Sequence, residues 1–452
     1  MTKHDNSGGY REEVRLNLLS KHRISVGDSI RITTKDGEIT GVLMPRYESA
    51  SEEYIVIKLK SGYNTGIHVE KIKSITKLLD KDQASSSSLT TTAVNPAKQN
   101  LPRVALISTG GTIASKIDYR TGGVHAALSA DELYASVPEL ANHASIDPEV
   151  LMSEYSENLR PEHWTLIADK VAEKIETDKY RGIVVSHGTD TMHYTAAALS
   201  FALQKLPIPV VLVGAQRSSD RPSSDAALNL LGAIIFAAES KYPGVFVAMH
   251  AGISDDTIAC HIGTRVRKNH TSRRDAFESI DMNPIAFVRN NEIQIQLKKQ
   301  NRLAETFTYK PFRVPFRLNT KFENKVMLFK YYPGFDPALI EHAINSGYKA
   351  IVFEGTGLGH IGKECFPALK KAVGAGLMVC MTSQCIWGRV RMTVYDTGRD
   401  LLDIGVIPLS DMISETATVK AMWALANSEN VEDAKKIMQE NLANEISSII
   451  PI

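Results

Sequence analysis

Val104-Ala105-Leu106-Ile107-Ser108-Thr109-Gly110-Gly111-Thr112-Ile113 is an unbroken apolar run that ends in two glycines flanked by hydroxyls. A half-exposed strand alternates apolar and polar residues, so an unbroken run marks a strand buried on both faces. The same punctuation returns further on. Residues 183–185 lead into Ser186-His187-Gly188-Thr189-Asp190-Thr191, and 210–213 into Gly214-Ala215-Gln216-Arg217. Residues 245–249 lead into His250-Ala251-Gly252, and 350–353 into Glu354-Gly355-Thr356-Gly357-Leu358-Gly359. Buried strands separated by helical segments predict an α/β fold, a mostly parallel sheet covered on both faces. Ligands of such sheets sit beyond the carboxyl ends of the strands, so these strand ends predict one site built from several loops.

Upstream of this body the pattern is different. Residues 24–76 carry short alternations (Ile30 and Ile32; Ile55, Ile57 and Leu59; Ile67 and Val69) separated by the turn signals Lys35-Asp36-Gly37 and Ser61-Gly62-Tyr63-Asn64. They predict a small all-β module over residues 1–79, of the SH3-like or Sm-like barrel type. Residues 80–100 are rich in Ser and Thr, carry Pro96 and no aromatic residue, and read as a flexible linker. A tether of this kind frees the module to recruit a partner. The body divides into a first α/β domain over 101–305, a Pro-containing break over 306–325, and a smaller α/β domain over 326–452. The last of these resumes strand and helix alternation at 326–329, 337–346, 350–353 and 377–381. Met412, Val419, Met422 and Trp423, at helical spacing, predict packed helices at the end.

The 452 residues hold 52 basic and 51 acidic side chains, a net charge of +1, so bulk charge argues for neither nucleic-acid nor membrane binding. Cys260, Cys365, Cys380 and Cys385 show no CxxC spacing and no nearby His-x-x-x-His, so they read as reduced core thiols with no metal site. The start of the chain has no apolar leader segment, and no stretch of eighteen apolar residues occurs, which predicts a cytoplasmic protein.

Three segments bear chemistry. Thr109-Gly110-Gly111-Thr112 would let backbone N–H groups approach a substrate and expose a hydroxyl at the sheet edge, but a phosphate cradle or a plain tight turn reads the same. His187-Gly188-Thr189-Asp190-Thr191 puts a hydroxyl beside a carboxylate after a strand, where a helix N-cap by Asp190 or Thr191 competes. Lys268 lies in the basic run Arg265-Val266-Arg267-Lys268-Asn269-His270-Thr271-Ser272-Arg273-Arg274. It reads as part of a solvated face, as an RNA-backbone contact, or as a desolvated lysine able to take a proton from a threonine; composition favours the solvated face.

Residues 108–114, 187–191 and 213–217 with Lys268, in that order, resemble the type I/II L-asparaginase family over roughly residues 101–430. Ser156 before Glu157, eight positions ahead of Trp164, resembles the substrate-binding pair of that family. The resemblance implies a two-domain α/β body in which Thr112 is the nucleophile of an acyl-enzyme. Thr189, Asp190 and Lys268 would handle protons, Lys268 acting through Thr189. Tyr119 would be a lid residue, Ser156 and Glu157 would hold the substrate's α-carboxylate and α-amino group, and the Gly111 and Gly188 N–H groups would face the oxyanion.

Free-standing members of that family start almost at the first sheet strand, whereas about a hundred residues precede Val104 here. In this the chain is similar to the family of D subunits of archaeal glutamyl-tRNA(Gln) amidotransferases, as are residues 115–125 and 353–360. That likeness implies a glutaminase (or asparaginase) subunit with no cofactor of its own, whose ammonia passes to Glu-tRNA(Gln) on an E subunit that uses ATP and Mg2+. It also implies a homodimer within a heterotetramer. Leu358 stands where plain asparaginases carry a polar residue, which leaves glutamine against asparagine open. Two other readings compete. One is a free-standing cytoplasmic L-asparaginase with an oligomerisation appendage. The other is a catalytically dead scaffold binding RNA through the module and the basic run, for which only Tyr47, Tyr54 and Tyr63 offer stacking surfaces.

Overall fold

The computed structural model describes residues 18–35, 37–44, 53–58, 64–78, 101–110, 115–117, 124–126, 133–134, 137–217, 224–296 and 315–447. The expectations for residues 80–100, Tyr47, Leu59, Tyr63, Gly111, Thr112 and Tyr119 lie outside these residues. The chain divides into two compact units. One comprises Met1–Leu101, Ser115–Ala127 and Arg217–Ser224, the other Pro102–Ala114, Leu128–Gln216 and Asp225–Ile452.

In the first unit, β1 (Ser29–Thr33), β2 (Glu38–Leu43), β3 (Tyr54–Lys58), β4 (Asn64–His68) and β5 (Ser74–Lys77) form an antiparallel sheet in the order β4-β3-β2-β1-β5. Its core is the predicted alternation. Ile30, Ile32, Ile55, Ile57, Ile67 and Ile75 are buried together with Leu19, Ile24 and Leu43. Thr34 N–H donates to Gly37 O at 2.9 Å across the first turn, where Gly37 holds φ +134°. The module is thus a small all-β antiparallel sheet of five strands, and among the described residues no ladder joins β4 to β5 to close it into a barrel.

The second unit is built on an eight-stranded sheet. Its parallel part is β9 (Ser145–Val150), β6 (Arg103–Ser108), β10 (Gly182–Ser186), β12 (Pro209–Val213) and β13 (Gly244–His250), in that spatial order. Its antiparallel part is β14 (Thr257–Ile262), β17 (Ala286–Arg289) and β18 (Glu292–Ile295). The sheet is mostly parallel, as expected, with three antiparallel strands at one edge that make it mixed. Residues 251–256 are too few for a crossover, and a connection that short can only return the chain antiparallel. Two short pairs complete this unit's strands before the smaller domain, β11 (Leu203–Gln204) with β19 (Arg317–Leu318) and β15 (Val266–Lys268) with β16 (Phe277–Ser279), while the pair β7 (Ser115–Ile117) with β8 (Val124–Ala126) belongs to the first unit.

Helix α1 (Pro161–Glu176) starts with a proline and buries Trp164, Ile167, Ala168, Val171 and Ala172, the i, i+3, i+4, i+7, i+8 face of an amphipathic helix. Helices α2 (Met192–Ala202) and α3 (Ala226–Glu239) are buried almost all round.

The smaller domain has four parallel strands, β20 (Val326–Lys330), β21 (Ala350–Gly355), β22 (Met378–Ser383) and β23 (Ile407–Pro408). Around them lie α4 (Ala338–Asn345), α5 (Phe366–Gly374), α6 (Asp396–Ile404), α7 (Ser414–Ala426) and α8 (Val431–Gln439). Ala197, Ala198 and Phe201 of α2 share one core with Val419, Trp423 and Ala424 of α7, and the Phe201 and Trp423 rings stack at 6.0 Å. Small side chains let the two helices approach, so the domains of the body are joined by apolar packing. Cys260, Cys365 and Cys380 are buried thiols as expected; Cys385 is exposed, because the chain has left β22 and its core two residues earlier. Among the described residues no helix is long and apolar enough to cross a membrane.

Candidate active site

Strands β6 and β10 lie side by side with Ser108 opposite Ser186. Thr109 ties their ends together: its N–H (3.1 Å) and its hydroxyl (2.8 Å) both donate to Ser186 O. Gly110 then turns with φ +124°, and a Cβ there would fall 2.2 Å from Glu154 O, so the position admits only glycine. Thr109 and Gly110 therefore leave the sheet next to the loop that follows β10.

That loop is fixed from beneath by His187. Burial pushes its imidazole down to about 4, so it is neutral at pH 7. Its Nδ1 lies 2.6 Å from Gly188 O, a group that only accepts, so Nδ1 carries the proton. Nε2 then accepts from Thr195 Oγ1 at 2.9 Å, and Thr195 in turn accepts from Trp164 Nε1–H at 3.1 Å. The chain Trp164, Thr195, His187, Gly188 has one consistent set of donors, which orients the peptide that follows Gly188.

Gly188 packs on Ser156, and a Cβ would meet Ser156 Cβ at 2.8 Å and Oγ at 2.9 Å. Thr191 Oγ1 donates to Ser156 O at 2.7 Å, which binds the same two loops a second time. Gly214, after β12, lies against Thr189, with a Cβ there 2.8 Å from Thr189 Cγ2. Its carbonyl accepts from Asn229 Nδ2 at 2.9 Å, and Asn229 is held by His250 at 2.6 Å. The ends of β10, β12 and β13 are thus tied together around Thr189.

Lys268, at the end of β15, donates from Nζ to Thr189 Oγ1 at 2.8 Å and to Asp190 Oδ1 at 2.7 Å. The lysine side chain is 8% exposed while that of Asp190 is 66% exposed, so the ammonium is withdrawn from water and its carboxylate partner is in contact with solvent. With one Thr189 lone pair engaged by the ammonium, the hydroxyl proton is free to point elsewhere, and a neutral amine in the same place would take that proton.

Thr189, Asp190 and Lys268 are in contact, Ser156 is buried against Gly188, and the neighbouring Glu157 is exposed. The basic run is not one solvated face. Arg265 is 1% exposed, Lys268 is withdrawn, and Arg273 is exposed. Tyr54 is exposed and meets His68 edge-on at 5.0 Å. The strand ends at Gly214 and His250 were read from the sequence without roles; Asn229, which joins them beneath Thr189, was missed, as were the roles of Arg265 and Arg267, whose carboxylate partners come from the distant Asp411 and Glu415.

A two-domain α/β body with a threonine, an aspartate and a lysine meeting at the strand ends defines the asparaginase class of fold. Residues 103–301 match the Asparaginase, N-terminal family, residues 325–438 the Glutaminase/Asparaginase C-terminal domain, and residues 24–78 the GatD N-terminal domain. Over 435 residues the chain is 47% identical to the D subunit of the glutamyl-tRNA(Gln) amidotransferase of Pyrococcus abyssi, covering 95% of this chain and 97% of that one. The corresponding D subunit of Sulfolobus acidocaldarius is 45% identical, with 96% and 94% covered. The chain belongs to the family of glutamyl-tRNA(Gln) amidotransferase D subunits. Among solved structures, the thermostable L-asparaginase from Thermococcus kodakarensis superposes with a TM-score of 0.68 at 32% identity, and L-asparaginase I from Vibrio cholerae with 0.66 at 28%. Each covers 77% of this chain and is itself covered completely.

Proposed function

We propose that this chain is the amide-hydrolysing component of a tRNA-dependent amidotransferase. One observation carries the reading: the D-subunit relatives align along 95% of the chain or more, whereas the L-asparaginases end after 77% and leave the rest unmatched. A free-standing asparaginase has no use for the matched GatD N-terminal domain at 24–78.

In this reading glutamine is the donor and Thr112 the nucleophile. Lys268 draws a proton through Thr189, and the Thr112 oxygen attacks the amide carbon. The C–N bond breaks, nitrogen leaves as ammonia carrying a proton, and water then cleaves the ester to glutamate. Ser156 and Glu157 hold the substrate's α-carboxylate and α-amino group, Tyr119 closes over it, and the Gly111 and Gly188 N–H groups face the oxyanion. Asp190 balances the lysine charge. The ammonia passes to Glu-tRNA(Gln) activated on an E subunit that uses ATP and Mg2+, and two copies of this chain form the core of a heterotetramer. Measuring glutamine hydrolysis by the chain alone, with the partner, and with partner plus Glu-tRNA(Gln) tests the reading: slow turnover rising at each step supports it. Fast turnover of free glutamine or asparagine by the isolated chain would sink it in favour of a free-standing asparaginase. Full retention of coupled activity in Thr112→Ala would remove that residue from the mechanism.

A further inference from the structure

Strand β15 stands outside the eight-stranded sheet, and among the described residues its ladder partner is β16 alone. The ladder of the main sheet therefore does not fix Lys268. What does fix the segment entering it is the far end of the chain. Thr264 Oγ1 donates to Ala443 O at 2.8 Å, and Thr416 Oγ1 donates to Thr264 O at 2.9 Å. Arg265 uses its whole fork: Nε donates to Asn444 O (2.8 Å), Nη1 to Asp411 O (3.0 Å), and Nη2 to Ser447 Oγ (2.8 Å) and Asp411 Oδ2 (3.2 Å). Arg267 Nε lies 2.8 Å from Glu415 Oε1. Three of the four residues before Lys268 are thus bound to residues 411–447.

The other side of that tail is anchored as firmly. Lys420 on α7 and Glu445 in the tail are 2.6 Å apart and both wholly buried. Lys420 also donates to Met438 O at 3.3 Å and to Glu440 O. The Glu445 carboxylate accepts from the N–H groups of Leu442 (3.0 Å) and Ala443 (2.6 Å), and Asn444 sits at φ +67°. Ser447 N–H donates to Asp411 Oδ1 at 3.0 Å and its carbonyl accepts from Arg389 Nη2 at 3.0 Å. Residues 441–447 therefore run as a strap between α7 and the entry to β15.

Burying two ion pairs adds little net stability, because desolvation roughly cancels the Coulombic gain, but it does dictate one geometry. Geometry is what Lys268 needs, since a shift of about 1 Å in a reacting group costs on the order of a hundredfold in rate. We propose that the C-terminal strap seats Lys268 and that Arg265 is a positioning residue for it. The inference rests on the role assigned above to Lys268, and deepens it by making the C-terminus part of the site's alignment.

The test uses the full chain with its partner and the variants Arg265→Lys and Ser447→Ala. Ser447→Ala removes a single acceptor of the guanidinium and supplies a folded variant should the arginine change unfold the chain. Acetic anhydride labelling read by mass spectrometry reports Lys268 directly, with the exposed Lys371 as internal reference. Relative Lys268 labelling is expected to rise roughly tenfold in Arg265→Lys and severalfold in Ser447→Ala. Glutamine kcat should fall tenfold or more in the first, with KM within twofold. Unchanged Lys268 labelling in a folded variant overturns the proposal, as does increased labelling with unchanged kcat. Absence of glutamine hydrolysis in the unaltered complex counts against the proposed function alone, since labelling still decides the strap.

Discussion

Lys268 Nζ, at the end of β15, donates to Thr189 Oγ1 at 2.8 Å, joining residues seventy-nine positions apart in sequence. Lys268→Met keeps the stem and removes the amine, and should lower ammonia release from glutamine by about 10²–10⁴-fold in kcat with KM changed only a few-fold. Lys268→Arg should be as inactive, because a guanidinium does not give up its proton at working pH and cannot accept one. Retention of more than a tenth of the activity in either folded variant would exclude the lysine from proton transfer.

Gly188 and Gly214 are glycines because of what they touch. A methyl at 188 would press on Ser156, and one at 214 on the Thr189 methyl group and His187 O. Gly188→Ala is expected to raise KM tenfold or more through displaced Ser156, whereas Gly214→Ala should act on kcat through displaced Thr189. Michaelis profiles separate the two, and a swap of the effects would show that Ser156 does not bind substrate.

Much of this was legible beforehand, for a physical reason. Alternating isoleucines and unbroken apolar runs report burial directly, so the module sheet and the parallel strands followed from Ile30, Ile32 and residues 183–185 alone. That Lys268 acts through Thr189 beside Asp190 followed from the family resemblance, and no local pattern shows it, since β15 is brought in by β16 and by the tail. Arg265 looked like a surface charge because nothing local reveals that its acceptors, Asp411 and Ser447, lie far along the chain. The three antiparallel strands at the edge of the main sheet were missed because a short connection decides strand direction, and strand composition does not.

Acid should destabilise the protein well before its carboxylates titrate. Burial holds His187 at about 4, and His193 and His261 at about 3, against an ordinary 6.5. The folded pKa values lie below the unfolded one, so the unfolded chain binds more protons between them. Their stability contribution is complete above pH 6.5 and is lost as pH falls toward 4 and 3. At pH 5 each histidine accounts for about 2 kcal/mol relative to pH 8. Urea midpoints measured at pH 8, 6 and 5 should fall in step, and a midpoint constant down to pH 5 would mean that these imidazoles are hydrated.

The module carries its own core. Leu19, Ile24, Ile30, Ile32, Leu43, Ile55, Ile57, Ile67 and Ile75 form one cluster drawn wholly from residues 19–75. Thr189, Asp190 and Lys268 draw their hydrogen bonds from the other unit. Deleting residues 1–95 should therefore preserve basal glutamine hydrolysis within a few-fold while abolishing its stimulation by the partner and Glu-tRNA(Gln). The competing appendage reading expects both to survive, because a segment that serves only self-association contributes nothing to a partner's contact. Stimulation that persists in the shortened chain at full amplitude would therefore move the docking surface to the α/β body. If basal hydrolysis disappears along with stimulation in a folded protein, the module takes part in building the site and is more than a tether.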